Sequence, residues 1–336
     1  MYLARSTAHH LIDSFIGIGG IIACSLVIYL SSTKVKNKAL RVYTIMLISN
    51  ATVDLIYSIN TLCTMCSGVL GIQTVFMTID SPFWPKTVWW SYAAVSTNLF
   101  LMFLSVGILP LQFIYRYGTM RNQPFSRKQM LLFSLVPLAF ALLHGFISPW
   151  TFRPPNPEYE VMFREALEVD ENYELPGYLI GDVRNFDLMT LHFLNIFVIV
   201  AFSYATILFM AYLSKRTMTL QSGLSTSPQT KAVQRQVTRI IYIQAIYPLF
   251  VVCVPAISFS IAAARGIQLK MIGELVMFSM HTPPLVNSLI VILCVPSYRR
   301  FVVNPFKSDQ IHSLGRLSVR SNGRLTTSSA SGSARQ

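Results

Sequence analysis

A chain of 336 residues has room for two soluble domains, but 53% of its residues are hydrophobic and only 12% are charged. That balance leaves too few ionic groups to cover a water-facing surface and calls for lipid as the solvent. A formal charge of +13 and a pI near 9.7 would suit a nucleic-acid binder, yet Lys and Arg sit in short stretches between long apolar runs, where membrane topology accounts for them better.

Crossing roughly 30 Å of hydrocarbon takes about 20 mostly apolar residues as a helix, because lipid offers the backbone no other hydrogen-bond partner. Seven stretches meet this requirement: 11–31, 43–65, 88–115, 130–150, 188–213, 240–264 and 272–295. The first exceeds a signal-peptide core of roughly 7–15 residues and follows a single base, Arg5, so it reads as a membrane helix. The connection 151–187 is acidic and contains Pro154, Pro155, Pro157, Pro176 and Gly177; it is expected to form a loop lying over the bundle. Residues 1–303 are thus expected to form one all-α seven-transmembrane bundle. The basic, Ser/Thr-rich segment 304–336 has too few apolar residues to fold alone and is expected to be a disordered cytoplasmic tail.

Orientation follows from the short connections. One set carries 20 Lys and Arg against the single acid Asp309, whereas the other carries seven bases against twelve acids, Asp13, Asp80 and Glu274 among them. The basic set faces the cytoplasm, so the amino terminus lies outside. Asp54 is then the one acid assigned to the membrane interior. An ionised carboxylate there costs roughly 2.5–3.5 kcal/mol on insertion scales. It needs partners, for which Asn287 and Ser288 on the seventh helix are candidates. It reads either as a polar switch or as a carboxyl packed into the bundle by hydrogen bonds.

The third helix ends in Gln112-Phe113-Ile114-Tyr115-Arg116-Tyr117. Arg116, flanked by Tyr115 and Tyr117, reads either as a switch that holds the inactive bundle and then meets a G protein, or as an anchor between interfacial aromatics. Pro248 and Pro255 on the sixth helix each remove a backbone donor and bend the chain, as a hinge or as ordinary membrane-helix prolines.

The Phe-Ile-Tyr-Arg-Tyr segment resembles the third-helix end of the nematode serpentine chemoreceptors of the Str superfamily, which includes Str, Srd, Srh, Sri and Srj. Two more segments resemble the same group in the same order. One is Gln234-Arg235-Gln236-Val237-Thr238-Arg239 with Ile243-Gln244-Ala245-Ile246-Tyr247-Pro248-Leu249 and Val254-Pro255; the other is Pro284-Leu285 with Pro296-Ser297-Tyr298-Arg299-Arg300. The resemblance implies a multi-pass plasma-membrane receptor of sensory cilia that detects small molecules or peptides and signals through a heterotrimeric G protein. The chain departs from the wider rhodopsin-like pattern. Tyr115 stands where an acid precedes the arginine, the seventh helix has no Asn-Pro-x-x-Tyr, and Pro283-Pro284 stands where many Str relatives have Asp-Pro. No cysteine lies at the outer end of the third helix or in the long outer loop.

A ligand pocket is expected in the outer half of the bundle, among residues within about three turns of the outer ends. Tyr92, Ser96 and Asn98 are candidates on the third helix, His192 and Asn195 on the fifth, Ser258 and Phe259 on the sixth, and Met277 and His281 on the seventh. Coupling is assigned to Tyr115, Arg116, Tyr117 and Arg239, with Asp54, Asn287, Pro248 and Pro255 as the switch. The tail cluster Thr326 to Ser333 is a candidate for phosphorylation by a receptor kinase and for arrestin recruitment. Tyr298-Arg299-Arg300-Phe301 is expected to start a short interfacial helix.

The five cysteines lack metal-ligand spacing, with Cys63 and Cys66 open to pairing or to separate packing. His192 and His281 have no carboxylate or cysteine set beside them, so neither metal nor cofactor is expected. No nucleophilic triad, phosphate loop or intramembrane His-Glu-x-x-His is present, which speaks against an enzyme. A transporter or ligand-gated channel is the alternative to a receptor. It predicts repeats, broken helices or several intramembrane ionisable groups.

Overall fold

The computed structural model describes residues 2–34, 41–121, 123–184, 188–221, 228–267 and 272–303. The expected tail 304–336, with its Thr326 to Ser333 cluster, lies outside the described residues, as do Lys36, Lys38, Asp187, Lys270 and the connection 222–227. In chain order the elements are α1 (Tyr2–Lys34), α2 (Arg41–Thr64), β1 (Cys66–Gly71), β2 (Thr74–Ile79), α3 (Val88–Met120), α4 (Arg127–Thr151), α5 (Pro157–Leu167), β3 (Gly177–Asp182) and α6 (Leu188–Gln221). They are followed by α7 (Pro228–Pro248), one π-helical turn (Leu249–Cys253), α8 (Val254–Arg265), α9 (Ile272–His281), α10 (Pro283–Cys294) and α11 (Pro296–Val303).

Seven helical spans are long and apolar enough to cross a bilayer, and they fall on the seven apolar stretches of the sequence. The third span is the axis of the bundle. Its most apolar window is 78% buried, whereas that of α4 is 22% buried and turns Leu131, Leu132, Leu142 and Phe146 outward. Such an apolar outer surface suits hydrocarbon and not water. A capping box starts α4 cleanly, Ser126 Oγ accepting from the Gln129 amide while Gln129 returns a bond to the Ser126 amide.

Two spans are interrupted where proline dictates. Pro248 ends α7, the chain takes the π turn, and Pro255 sits in the first turn of α8, where its missing amide hydrogen costs nothing. The seventh span breaks at Thr282, between α9 and the Pro283-Pro284 start of α10. The chain divides into two units, Met1–Ile290 with the bundle, and a second from Val291 that holds the end of α10 and then α11. On α11, which begins at Pro296, Arg299 and Arg300 are exposed.

The outer side departs most from expectation. The connection 151–187 is not a plain loop: it holds α5 and β3, and β3 pairs antiparallel with β2, itself paired antiparallel with β1. The resulting β1-β2-β3 sheet is buried on both faces. Cys66, Leu70, Val75, Met77, Ile79 and Leu179 join the bundle core with Leu99, Met102, Ile196 and Phe259. Val69, Phe76, Tyr178 and Ile180 meet Tyr159, Phe163 and Leu167 of α5. Period-two alternation thus gives one row of side chains to the bundle and the other to a helical lid. Met65, with φ at 44°, turns the chain out of α2 into β1, so Cys63 and Cys66 fall on different elements, and both are free thiols.

Close approach of the sheet to the bundle depends on glycine at two facing positions. A Cβ on Gly273 would collide with the Gly68 carbonyl, and one on Gly68 would lie 3.2 Å from Phe259 Cζ and 3.3 Å from Met277 Cγ. Overpacking of this kind costs about 1–3 kcal/mol. Gly273→Ala should therefore lower the thermal unfolding temperature of the detergent-purified protein. Gly19→Ala, whose new methyl meets only the flexible Leu285 side chain at 3.3 Å, should leave it near the parent value. Equal melting of the two variants would contradict a tightly seated sheet.

Candidate functional site

The outermost layer is a clasp around Asp182, the last residue of β3. Its side chain is 2% exposed and would be costly to bury as a lone charge. Arg184 supplies the partner, with Nη2 2.8 Å from Oδ2 and Nε 3.1 Å from Oδ1, while its own amide donates to Oδ1 at 2.9 Å. Tyr159 of α5 donates its hydroxyl to Oδ2 at 2.7 Å, and Arg153 Nη1 stands 3.8 Å away. Arg184 also reaches Glu158 at 3.0 Å, so the cluster ties the start of α5 to the sheet. Backbone bonds in both directions between Arg153 and Ile180 add the end of α4. Burial alone would raise the Asp182 carboxyl, but Arg184 and the Tyr159 hydroxyl outweigh it and hold its pKa down to about 2.

Beneath the sheet lies the outer half of the bundle, where the sequence expected a ligand pocket. Phe259 and Met277 are buried directly under Gly68 of β1. His192 stacks on His144 with ring centroids 4.1 Å apart, and Asn195 Nδ2 lies 2.9 Å from His144 Nδ1. Phe103 and Phe152 present ring edges to this imidazole pair. Asn98 is fully buried and accepts from Asn60 Nδ2 at 3.4 Å. Tyr92 donates to the Phe152 carbonyl at 3.0 Å. Two of the nominated residues turn elsewhere. Ser258 is exposed on the outside of the bundle, and Ser96 lines a shallow recess with Thr97, Phe146 and Trp150 between α3 and α4.

His281 is buried against a residue that the charge tally placed outside. Asp13 is 0% exposed within α1, with His281 Nδ1 3.2 Å from Oδ1 and His9 Nε2 3.5 Å from Oδ2. His9 Nε2 also stands 3.2 Å from the Met65 carbonyl, and the Tyr57 ring meets His281 edge-on. Asp13 and Glu274 are thus buried within the first and seventh spans and are not exposed on the outer surface. A His-x-x-x-Asp spacing on one helix face was the available signal at His9 and Asp13. Among the described residues, no group of three His, Cys, Asp or Glu side chains is arranged to hold a metal ion.

The inner half is polar along its axis. Asp54 Oδ1 accepts from Ser105 Oγ at 2.9 Å, and the Asn287 side chain hydrogen-bonds to the same carboxyl. Of the two partners expected from the sequence, Ser288 instead lies 3.2 Å from Cys24 Sγ. Gln244, four residues before Pro248, donates to the Asn287 carbonyl at 3.4 Å, which links the sixth and seventh spans below the π turn. Ser105 carried no signal in the sequence, since it stands in an otherwise apolar run. Further inward on α3, Tyr115 and Arg116 are buried, while half-buried Tyr117 has Arg121 over its ring at 5.6 Å. Arg239 on α7 is exposed.

These features define a seven-span integral membrane protein with a sealed outer end, a polar axis and a basic, aromatic inner end. The solved structure of squid rhodopsin is similar in fold, with a TM-score of 0.63 at 15% identity, over 90% of this chain and 86% of that one. The model of the serpentine type 7TM GPCR chemoreceptor Str family matches residues 9–303, and the chain belongs to that family. Comparison with curated protein sequences gives no match.

The clasp has a defined acid limit. Asp182 ionises at a lower pH in the folded cap than an ordinary carboxyl of pKa near 3.9 does in an unfolded chain. Its contribution is therefore complete above about pH 4 and lost as the pH falls through about 2. Asp182→Asn should loosen the cap already at neutral pH, read as faster proteolysis within 157–182 in the purified protein. Unchanged protease resistance of that variant would remove the clasp from the account.

Proposed function

We propose that this protein is a G-protein-coupled chemosensory receptor of the plasma membrane that binds a small ligand beneath the β1-β2-β3 cap and activates a heterotrimeric G protein at its inner face. The family match over residues 9–303 carries this reading. The buried aromatic and imidazole groups under the sheet favour a small, largely apolar molecule with one or two hydrogen-bonding groups over a peptide. Asn98, His192, Asn195, Phe259, Met277 and His281 are the proposed contacts, and Tyr92 braces the rim. Because Phe259 and Met277 lie under β1, ligand entry is coupled to movement of the sheet. Ligand occupancy then acts as a bias between two arrangements of the bundle.

On the inner side, Tyr115, Arg116, Tyr117 and Arg239 are proposed to meet the G protein when the sixth span moves. The π turn between Pro248 and Pro255 supplies the place where that span bends. Asp54, with Ser105 and Asn287, links the second, third and seventh spans and so is placed to sense the change. A sensory cilium is the proposed site of action, with a receptor kinase and arrestin as desensitising partners.

Expression in cells carrying a G-protein reporter, with a screen of small odorants, tests this reading. Arg116→Ala should lower ligand-evoked coupling at least tenfold with surface delivery preserved. A matched loss of delivery would reduce Arg116 to a membrane anchor. Ligand-evoked current that persists without G protein would replace the receptor by a channel.

A further inference from the structure

A recess of about 300 Å³ opens between α2, α3 and α4 near the inner face, lined by Ile45, Ser49, Ile108, Gln112, Arg127 and Leu131 among others. Its chemistry is graded. The walls are mostly aliphatic, the mouth carries the exposed Arg127 at the start of α4 with exposed Lys128 next to it, and no carboxylate lines the recess. Deep within it is Gln112, 3% exposed, whose amide nitrogen and oxygen both have no hydrogen-bond partner. A buried amide with neither atom satisfied is an expensive arrangement in hydrocarbon. An occupant toward which the Gln112 side chain turns, and which pairs its amide, would relieve that cost.

We propose that this recess binds one anionic glycerophospholipid of the inner leaflet. Three requirements converge on that class. The occupant needs an anion at the level of Arg127 and Lys128, a hydrogen-bond acceptor for the Gln112 amide nitrogen slightly deeper, and an apolar chain along Ile45, Ile108 and Leu131. A phospholipid supplies them in this order as phosphate, ester carbonyl and acyl chain. A zwitterionic lipid lacks the net charge, and a sterol lacks both the anion and the ester. Bases at the cytoplasmic edge of a bundle already stand in the negative surface potential of that leaflet. A volume at the low end for ligand sites suits the glycerol region and the first part of one chain, the remainder lying in the bilayer.

The site touches function through α3. Gln112 and Arg116 are four residues apart, so they lie on one face of the helix, one turn from each other. A lipid held at Gln112 fixes the turn that carries the coupling arginine, and the composition of the inner leaflet thereby sets how readily the inner end of α3 moves. This inference needs only the membrane setting and not the proposed ligand or G protein.

Native mass spectrometry of the detergent-purified full chain, mixed with equal amounts of phosphatidylserine and phosphatidylcholine, tests it directly. Phosphatidylserine adducts should persist preferentially, and Arg127→Ala and Lys128→Ala should each reduce that preference about fivefold. Gln112→Leu removes the unpaired amide. It should melt at or above the parent temperature in lipid-free detergent yet lose the stabilisation that added phosphatidylserine gives the parent. Thermal melting of every variant separates lost binding from lost folding, and if a basic-site variant fails to fold, the parent competition and Gln112→Leu decide. Equal retention of the two phospholipids, preferential retention of a sterol, or lipid stabilisation that survives in Gln112→Leu would overturn the proposal.

Discussion

Hydrocarbon contains no hydrogen-bond donors or acceptors, and each feature of this molecule follows from how it meets that condition. Seven long helices satisfy their backbones internally. Side chains that cannot follow the same rule turn inward and pair there: Asp54 meets Ser105 and Asp13 meets two histidines. The outward faces of α4 and its neighbours are left to Leu and Phe.

At the outer end, the same condition explains why a three-stranded sheet is covered on both sides. Its strand sequences place apolar residues on both faces, so neither face can be left to water without cost. The bundle takes one face and α5 the other. No cysteine pair joins the outer loop to the third span, and among the described residues all five cysteines are free. The cap is held instead by strand pairing and by the Asp182 cluster.

The inner end reverses the chemistry. Asp54 pairs with Ser105 and Gln244 with the Asn287 carbonyl, while Arg127, Lys128, Arg299 and Arg300 stand exposed at helix ends. Proline interruptions in the sixth and seventh spans leave places where backbone bonds are already broken, so bending there disturbs few contacts.

The sequence by itself determined the number of spans, their order and their direction, because hydropathy and charge partition against lipid are local, additive quantities. It also carried the family, through Phe113 to Tyr117, the Gln234 to Pro255 segment and Pro296 to Arg300. The lid helix α5 was legible in principle: Asn156 and Pro157 make an N-terminal cap, and Tyr159, Phe163 and Leu167 recur every four residues. Its prolines and acids read instead as a loop, since a helix of this size has no buried face until a sheet supplies one. Only the tertiary structure decided which groups meet. That Asp54 takes Ser105 and not Ser288, that Ser258 faces outward, and that Asp13 is buried against His281 depend on the rotation and depth of whole helices. Packing sets both at once, and no short stretch of sequence records either.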